Sequence, residues 1–369
     1  MAFQDEIDSK RATIHTDGYP MSIGELANLY RDHELDIHPE FQRFFRWSDW
    51  QKSRLIESIL LGLPIPSIFV AQQKGGVWDV IDGLQRLSTI FATMGILRKE
   101  DGTVGPPLEL TGTEYLPSLA GKVWGEDDED GPHNLSQEQK LLVKRSKLDV
   151  KIVLRESDDS SKYELFQRLN TGGSTLSDQE LRNCILIMIN PDFYHWILDL
   201  RQIDEFQSCI SLTDRAVVEQ YDLELVVRFL VLRTLTKSQL RRIGDMGDFL
   251  TKQVMEQAND PAFDREERES AFRTTFGYLA RALASDSFRR YSDNRFLGGF
   301  LISGYEAIAL GIGYNYKAFK GDQVPLKAGQ DKINKLWSES TFTLNSGAGV
   351  RASSRVGAII PFARDYFAP

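Results

Sequence analysis

The sequence predicts two domains of different class, a mixed α/β domain over residues 1–195 and a mainly α-helical domain over residues 196–369. Three observations support this fold class. Segments that alternate apolar and polar residues, as strands do, lie before residue 195. Amphipathic helical patterns dominate after it. The length of 369 residues suits about two domains.

Composition and charge exclude several classes of function. The net charge of −9 means that the surface as a whole cannot hold DNA, so any nucleic-acid contact needs a local basic patch. Two cysteines and five scattered histidines argue against a disulfide framework and a catalytic zinc site. No apolar run is long enough for a signal peptide or a membrane span. We therefore expect a cytoplasmic protein without membrane contact.

The elements of the first domain follow from capping boxes and alternation. Ser22 with Glu25, Ser48 with Gln51 and Ser177 with Glu180 each match the capping-box pattern that opens a helix. Apolar segments before and after Lys74-Gly75-Gly76 predict an antiparallel hairpin. The remaining predicted elements are strands at 12–16 and 147–154, helices at 84–97 and 162–169, and a structured loop at 37–47.

The pattern of apolar residues in the second domain predicts helices joined by short loops. The predicted helices span 218–235, 246–257, 264–284, 297–310 and 327–338.

Two segments of the second domain are locally basic. Residues 345–367 contain Arg351 and Arg355, candidate contacts to DNA phosphates, although a solvated loop tethering a last strand is the favoured interpretation. Residues 288–296 mix arginines with aromatic residues, which suits nucleic-acid contact, but the edge of an amphipathic helix is favoured there.

The stretch Asp82-Gly83-Leu84-Gln85-Arg86 joins a predicted strand to a predicted helix. Gly83 permits a positive φ and a close approach to the backbone. The following helix presents unpaired N–H groups and the positive end of its dipole, which suit a phosphate. Arg86 adds donors for phosphate oxygens, and Asp82 is a candidate ligand for Mg²⁺. The alternative is an ordinary turn in which Asp82 caps the helix and Arg86 pairs with an acid.

Two further polar segments are expected to share this pocket. The first contains Gln42 and Arg43. The second runs through Asn170 and Gly172 to the helix start that carries Glu180. Each alone has a structural explanation, a surface loop or a helix C-cap. Together with the stretch at residues 82–86, they predict one binding site.

These motifs occur in a recognisable order: FQR at 41–43, the hairpin into DGLQRL, then F.RLNTGG and E.RN up to Asn183. In this combination, residues 20–190 resemble the N-terminal domain of GmrSD-type restriction proteins, which has a ParB/sulfiredoxin-like fold. The resemblance implies a domain that uses an NTP through a DGQQR-type motif, in restriction of foreign and often modified DNA. It assigns Asp82, Gly83, Gln85 and Arg86 to that motif.

The resemblance also places other residues. Gln42 and Arg43 would flank the nucleotide, while Asn170 and Glu180 match later polar positions with open roles. The chain departs from the pattern at Leu84, where the family often has Gln. The second departure is that the last part of the chain contains no cluster of histidines. An HNH nuclease domain, which needs such a cluster to bind its metal, is therefore not expected in this chain. A separate nuclease subunit is then expected, with a methyltransferase or an ATPase as other candidate partners.

Three functions remain open from the sequence. The first is an Mg²⁺-dependent NTPase in which Arg43 and Arg86 clamp the phosphates, Asp82 holds the metal and Gln85 orients the attacking water. The second is a nucleotide-gated adaptor or DNA-binding switch that does not turn over. The third is a metal-dependent DNA nickase using Asp82 and Glu180, for which the motif carries few carboxylates.

Overall fold

The computed structural model describes residues 3, 15–37, 47–73, 75–99, 101–125, 132–154, 177–347 and 349–369. The chain forms two compact units, unit 1 over Met1–Thr175 and unit 2 over Leu176–Pro369. The sequence places its domain boundary later, near residue 195. The helix Asp178–Ile189 therefore belongs to the helical unit, although its capping signal resembles those of unit 1.

Unit 1 is built on a mixed five-stranded sheet with the strand order β1-β5-β3-β4-β2. The β3–β4 pair is the predicted antiparallel hairpin, and β5 pairs antiparallel with β1 and parallel with β3. β5 alternates as predicted, with Leu148, Val150 and Ile152 buried between exposed residues. The strands are β1 Thr16–Ser22, β2 Leu35–Asp36, β3 Ile68–Gln72, β4 Trp78–Asp82 and β5 Lys147–Val153.

The helices of unit 1 begin where the capping signals lie. Ser22 accepts a hydrogen bond from the Glu25 amide, and Ser48 with Gln51 forms a complete capping box. A further capping box at Ser136 was not predicted. The helices are α1 Ile23–Arg31, α2 Asp49–Leu60, α3 Leu84–Thr93 and α4 Gln137–Arg145. Of the predicted first strand only Thr16 is in β1; residues 12–14 and the predicted helix 162–169 lie outside the described residues.

Glu57 anchors the long segment after α3 to helix α2. Its carboxylate oxygen Oε1 accepts hydrogen bonds from the Thr113 hydroxyl and from the backbone amides of Tyr115 and Leu116. Burial favours a raised pKa for Glu57, but these hydrogen bonds and the charge of Arg54 together lower it. An ionised side chain thus helps to hold a long segment with little regular structure, together with hydrogen bonds from Thr111 to the Ser53 hydroxyl.

Unit 2 is helical, as predicted, apart from one short hairpin. Its helices are α5 Asp178–Ile189, α6 Pro191–Arg201, α7 Asp204–Cys209, α8 Asp214–Val218, α9 Tyr221–Leu232, α10 Lys237–Arg241, α11 Met246–Asn259, α12 Arg265–Ala282, α13 Ile302–Tyr314, α14 Tyr316–Phe319, α15 Leu326–Leu336, α16 Ser340–Ser346 and α17 Ala352–Tyr366. Helices α9 and α13 are buried over nearly their whole length. A side chain at Gly311 of α13 would lie 2.8 Å from the Ala363 carbonyl, so glycine lets α13 pack closely on α17.

The two basic segments differ from their favoured interpretations. Residues 288–296 form a β-hairpin rather than a helix edge, with strands β6 Arg290–Ser292 and β7 Arg295–Leu297. Asp293 and Asn294 adopt positive φ values of 52° and 60°, as a tight hairpin turn requires. The C-terminal segment forms helix α17 rather than a loop and a strand. Its apolar residues bury one helical face, which outweighs its weak intrinsic helix preference.

Candidate functional site

The β4–α3 junction is the site to which the sequence points, and its backbone has the predicted form. β4 ends at Asp82, Gly83 adopts φ 98° and ψ 11°, and α3 begins at Leu84. No side chain caps the first amides of α3 among the described residues. By contrast, serine side chains cap α1, α2 and α4. The start of α3 thus carries amide donors without the side-chain acceptor that α1, α2 and α4 have.

Glycine is required at position 83 for two reasons. A φ of 98° is strained for any residue with a side chain. A Cβ atom here would also lie 3.0 Å from Ile68 Cγ1 and 3.4 Å from Arg86 Nη2. The junction therefore fits closely around Gly83, with the Arg86 guanidinium directly beside it.

Asp82 and Arg86 form an ion pair across this junction. Arg86 Nη2 lies 2.7 Å from Asp82 Oδ2, and Arg86 Nη1 donates to the Pro66 carbonyl at 2.9 Å. The side chains are 12% exposed for Arg86 and 40% exposed for Asp82. The alternative in which Arg86 pairs with an acid is thus realised, while Asp82 does not cap the helix. Arg86 fixes the end of β4 against the start of α3.

The two residues between them also have structural partners. The Gln85 side-chain oxygen accepts a hydrogen bond from the Trp47 amide at 3.3 Å. Leu84 is partly buried and packs against the core of unit 1. The unusual leucine in the motif is therefore a packing residue. Four other predicted site residues, Gln42, Arg43, Asn170 and Gly172, lie outside the described residues.

Glu180 lies in unit 2, where it completes the capping box of α5. Its carboxylate accepts a hydrogen bond from the Ser177 amide at 2.7 Å, and the Ser177 hydroxyl accepts one from the Glu180 amide. Glu180 is fully buried. The capping interpretation made from the sequence is confirmed, and the geometry around Glu180 shows a structural use of its carboxylate.

The two C-terminal arginines proposed for DNA contact have different surroundings. Arg351 is exposed at the start of α17. Arg355, one turn later, donates from Nε to Glu306 Oε2 at 2.6 Å and from Nη2 to Glu306 Oε1 at 3.1 Å. A phosphate contact made by Arg355 would have to break this buried ion pair.

Glu306 is the centre of a charged network that the sequence analysis missed. It is fully buried and also accepts a hydrogen bond from Arg228 Nη1 at 2.9 Å, while Arg228 pairs with Glu224 at 2.8 Å. Burial disfavours the charge on Arg228, but Glu224 and Glu306 raise its pKa above the ordinary value. One signal was available: Glu306 is the only charged residue within the apolar helix α13.

Comparison with known families identifies the region that contains the β4–α3 junction. Residues 23–187 match the family described as GmrSD restriction endonuclease, N-terminal domain. This segment is a GmrSD N-terminal domain. The GmrSD match confirms the predicted resemblance for residues 23–187, and the description of the family points to a restriction system.

The GmrSD match covers most of unit 1 and extends into α5, so the later helices of unit 2 lie outside it. No curated protein and no solved structure matches the chain significantly. None of the helices in the described ranges is long and apolar enough to cross a bilayer.

Proposed function

We propose that the GmrSD N-terminal domain binds a nucleoside triphosphate with its phosphates at the β4–α3 junction and hydrolyses it. The chain would then be the nucleotide-using component of a restriction system that acts on foreign or modified DNA, with a separate nuclease subunit. The observation that carries the proposal is the start of α3. Its first amides follow a positive-φ glycine and have no side-chain cap among the described residues, and the Arg86 guanidinium lies beside that glycine.

The chemistry follows from these donors. Amides at a helix start, together with the helix dipole, favour a phosphate group. The Arg86 guanidinium lies beside Gly83 and is held by Asp82, so its position is set before a ligand arrives. Catalysis of phosphoryl transfer consists mainly of positioning and charge stabilisation. The junction would supply both from the backbone and one arginine.

Magnesium is the cofactor that this proposal implies. No group of at least three His, Cys, Asp or Glu side chains that could hold a metal occurs in the part of the chain that the structure describes. Mg²⁺ in nucleotide sites is usually bound by one or two carboxylates together with the phosphates. Asp82 is 40% exposed and uses Oδ2 for Arg86, which leaves Oδ1 as the fitting protein ligand. The bound ion would neutralise phosphate charge.

A nucleotide-gated adaptor is the second candidate function, and one observation favours it. Gln85, the residue expected to orient the attacking water, is hydrogen-bonded to the Trp47 amide. Leu84 beside it packs against the core. Nucleotide binding without turnover would follow if Gln85 keeps this partner in the bound state. DNA, a nuclease, a methyltransferase or an ATPase would then be the gated partner.

Calorimetry and phosphate release with the full chain test the proposal. ATP, GTP, CTP and UTP are titrated separately in the presence of Mg²⁺, and released phosphate is measured for each. Arg86→Ala should weaken binding at least about tenfold, since it removes a charged donor beside the phosphates. Arg145→Ala is the matched control, because Arg145 is an exposed arginine of the same unit on α4.

The outcomes separate the two functions. Binding with phosphate release that Arg86→Ala abolishes supports the NTPase, and binding without release supports the adaptor. Folding of Arg86→Ala is checked by circular dichroism, and Arg86→Lys keeps the charge if the alanine variant is unstable. Failure of the folded wild-type protein to bind any of the four nucleotides would overturn the proposal.

A further inference from the structure

The β6–β7 hairpin of unit 2 is a separate structural feature outside the GmrSD match. Its two strands pair over three residues each, with Arg290 opposite Leu297 and Ser292 opposite Arg295. Tyr291 and Phe296 pair across the strands with their ring centroids 5.0 Å apart. We call residues 290–297 the ribbon. An isolated two-stranded ribbon is only marginally stable, so its conformation needs support.

Arg289 provides that support at the base of the ribbon. Its Nε donates to the Gly298 carbonyl at 2.7 Å, which joins the residue before β6 to the residue after β7. Its Nη1 pairs with Asp286 at 2.6 Å. The buried ring of Phe288 anchors the preceding residue. The ribbon is thus clamped to unit 2 by one arginine whose charge is already neutralised.

The other two arginines of the segment have a different role. Arg290 and Arg295 are exposed, and neither has an ion-pair or hydrogen-bond partner among the described residues. In the antiparallel register, directly opposed residues share a face, so Arg290 and Arg295 lie on the same face and Tyr291 with Phe296 on the other. The ribbon therefore presents two arginines at diagonal positions of one face, neither of them paired with a side chain of the described residues.

We propose that this face of the ribbon contacts the phosphate backbone of duplex DNA. Arginine matches phosphate oxygens in geometry and charge. A two-stranded ribbon also fits the major groove, whose width is about 12 Å. The protein carries a net charge of −9, so a locally basic face of this kind is the surface that a DNA contact needs. The proposal does not depend on nucleotide binding in unit 1.

One acid limits the orientation of the contact. Asp293 is exposed at the turn, where its carboxylate accepts a hydrogen bond from the Ser292 hydroxyl. Its charge would repel phosphates from the tip of the ribbon. The contact is therefore made by the arginine face along the strands. Asp293→Asn removes the repulsion and keeps a residue type that tolerates positive φ.

The test measures binding of the full chain to a labelled, mixed-sequence DNA duplex without nucleotide, by fluorescence anisotropy. The KCl concentration is varied between about 50 and 200 mM. Each lost phosphate contact reduces the slope of log K against log salt by about 0.9. The double variant Arg290→Ala/Arg295→Ala should therefore have a slope shallower by about 1.8. Asp293→Asn should bind a few-fold tighter.

The matched control is Arg241→Ala/Arg242→Ala. It removes the same charge from two exposed arginines at the end of α10 and should leave the slope unchanged. Both double variants should keep the wild-type unfolding midpoint. Absence of DNA binding by the wild-type protein would overturn the proposal, as would equal losses in the two double variants. Binding of poly-glutamate with the same dependence on the ribbon arginines would assign the face to an acidic protein instead.

Discussion

Replacing Arg355 with alanine distinguishes a structural arginine from a DNA contact. The substitution removes two charge-assisted hydrogen bonds to the fully buried Glu306 and leaves that carboxylate with Arg228 alone. Hydrogen bonds to charged groups contribute about 1.5–3 kcal/mol each, and breaking a buried ion pair costs about 3–5 kcal/mol. Because Arg228 remains in place, we expect a loss near the lower value, about 3 kcal/mol of unfolding free energy.

Urea unfolding followed by circular dichroism measures this loss, since most helices belong to unit 2. With a slope of about 2–3 kcal/mol per molar urea, the midpoint should fall by about 1–1.5 M. Arg351→Ala is the matched control, because Arg351 is exposed on the same helix one turn earlier. An exposed substitution of this kind should stay within about 0.5 kcal/mol of the wild-type value.

A single result would refute the reasoning about Arg355. If Arg355→Ala lowers DNA affinity while its urea midpoint equals that of Arg351→Ala, the pair with Glu306 contributes no stability and Arg355 faces the ligand. The reverse pattern, a destabilised variant whose folded fraction binds DNA normally, identifies Arg355 as the residue that fastens α17 to α13.

Three other predictions concern named side chains. The pKa of Glu57 is lower in the folded protein than in the unfolded chain, where it is about 4.3. Its contribution to stability is therefore fully present above a pH of about 4.3 and is lost as the pH falls through the folded pKa. In the Glu57→Gln variant, the urea midpoint should fall less steeply over this acidic range. Gly83→Ala should destabilise unit 1 by at least about 1 kcal/mol more than Gly76→Ala. Both glycines have a positive φ, but only at Gly83 would an added Cβ atom contact neighbouring side chains. Equal urea midpoints for the two variants would contradict this prediction. Burial raises the pKa of Cys209 to about 11 and raises the pKa of Cys184 further. A thiol reagent at neutral pH should therefore label neither cysteine in the folded protein and both after unfolding. Rapid labelling of the native protein would contradict this and would show that the structure around the cysteines opens locally.

Much of the local architecture is readable from the sequence because its signals act over a few residues. The capping boxes at Ser48 and Ser177 begin helices as predicted, since the serine and its partner three residues later lie on the same turn. The alternation of residues 147–153 predicted β5, because one face of that strand is buried. The turn at Gly83 was predicted from the same kind of local rule.

The secondary structure of short segments without a strong hydrophobic periodicity is harder to predict from the sequence. The residue pattern of 288–296 favours the edge of a helix, although Asp293-Asn294 is a turn signal that suits the hairpin found. Helix α17 has glycine and serine residues near its start and a proline inside, so propensity argues against it. It forms because Val356, Ile359 and Ile360 are buried.

The sequence alone thus determined the order of the elements, the family of the N-terminal domain, and the polar residues at the β4–α3 junction. Only the tertiary structure decided which of those residues are already partnered. Arg86 pairs with Asp82 and contacts the distant Pro66 carbonyl, and Arg355 pairs with Glu306, which lies 49 positions away in the chain. The sequence does not show whether a charged side chain faces water or a buried acid, because the packing of segments that are distant in the chain determines its partner.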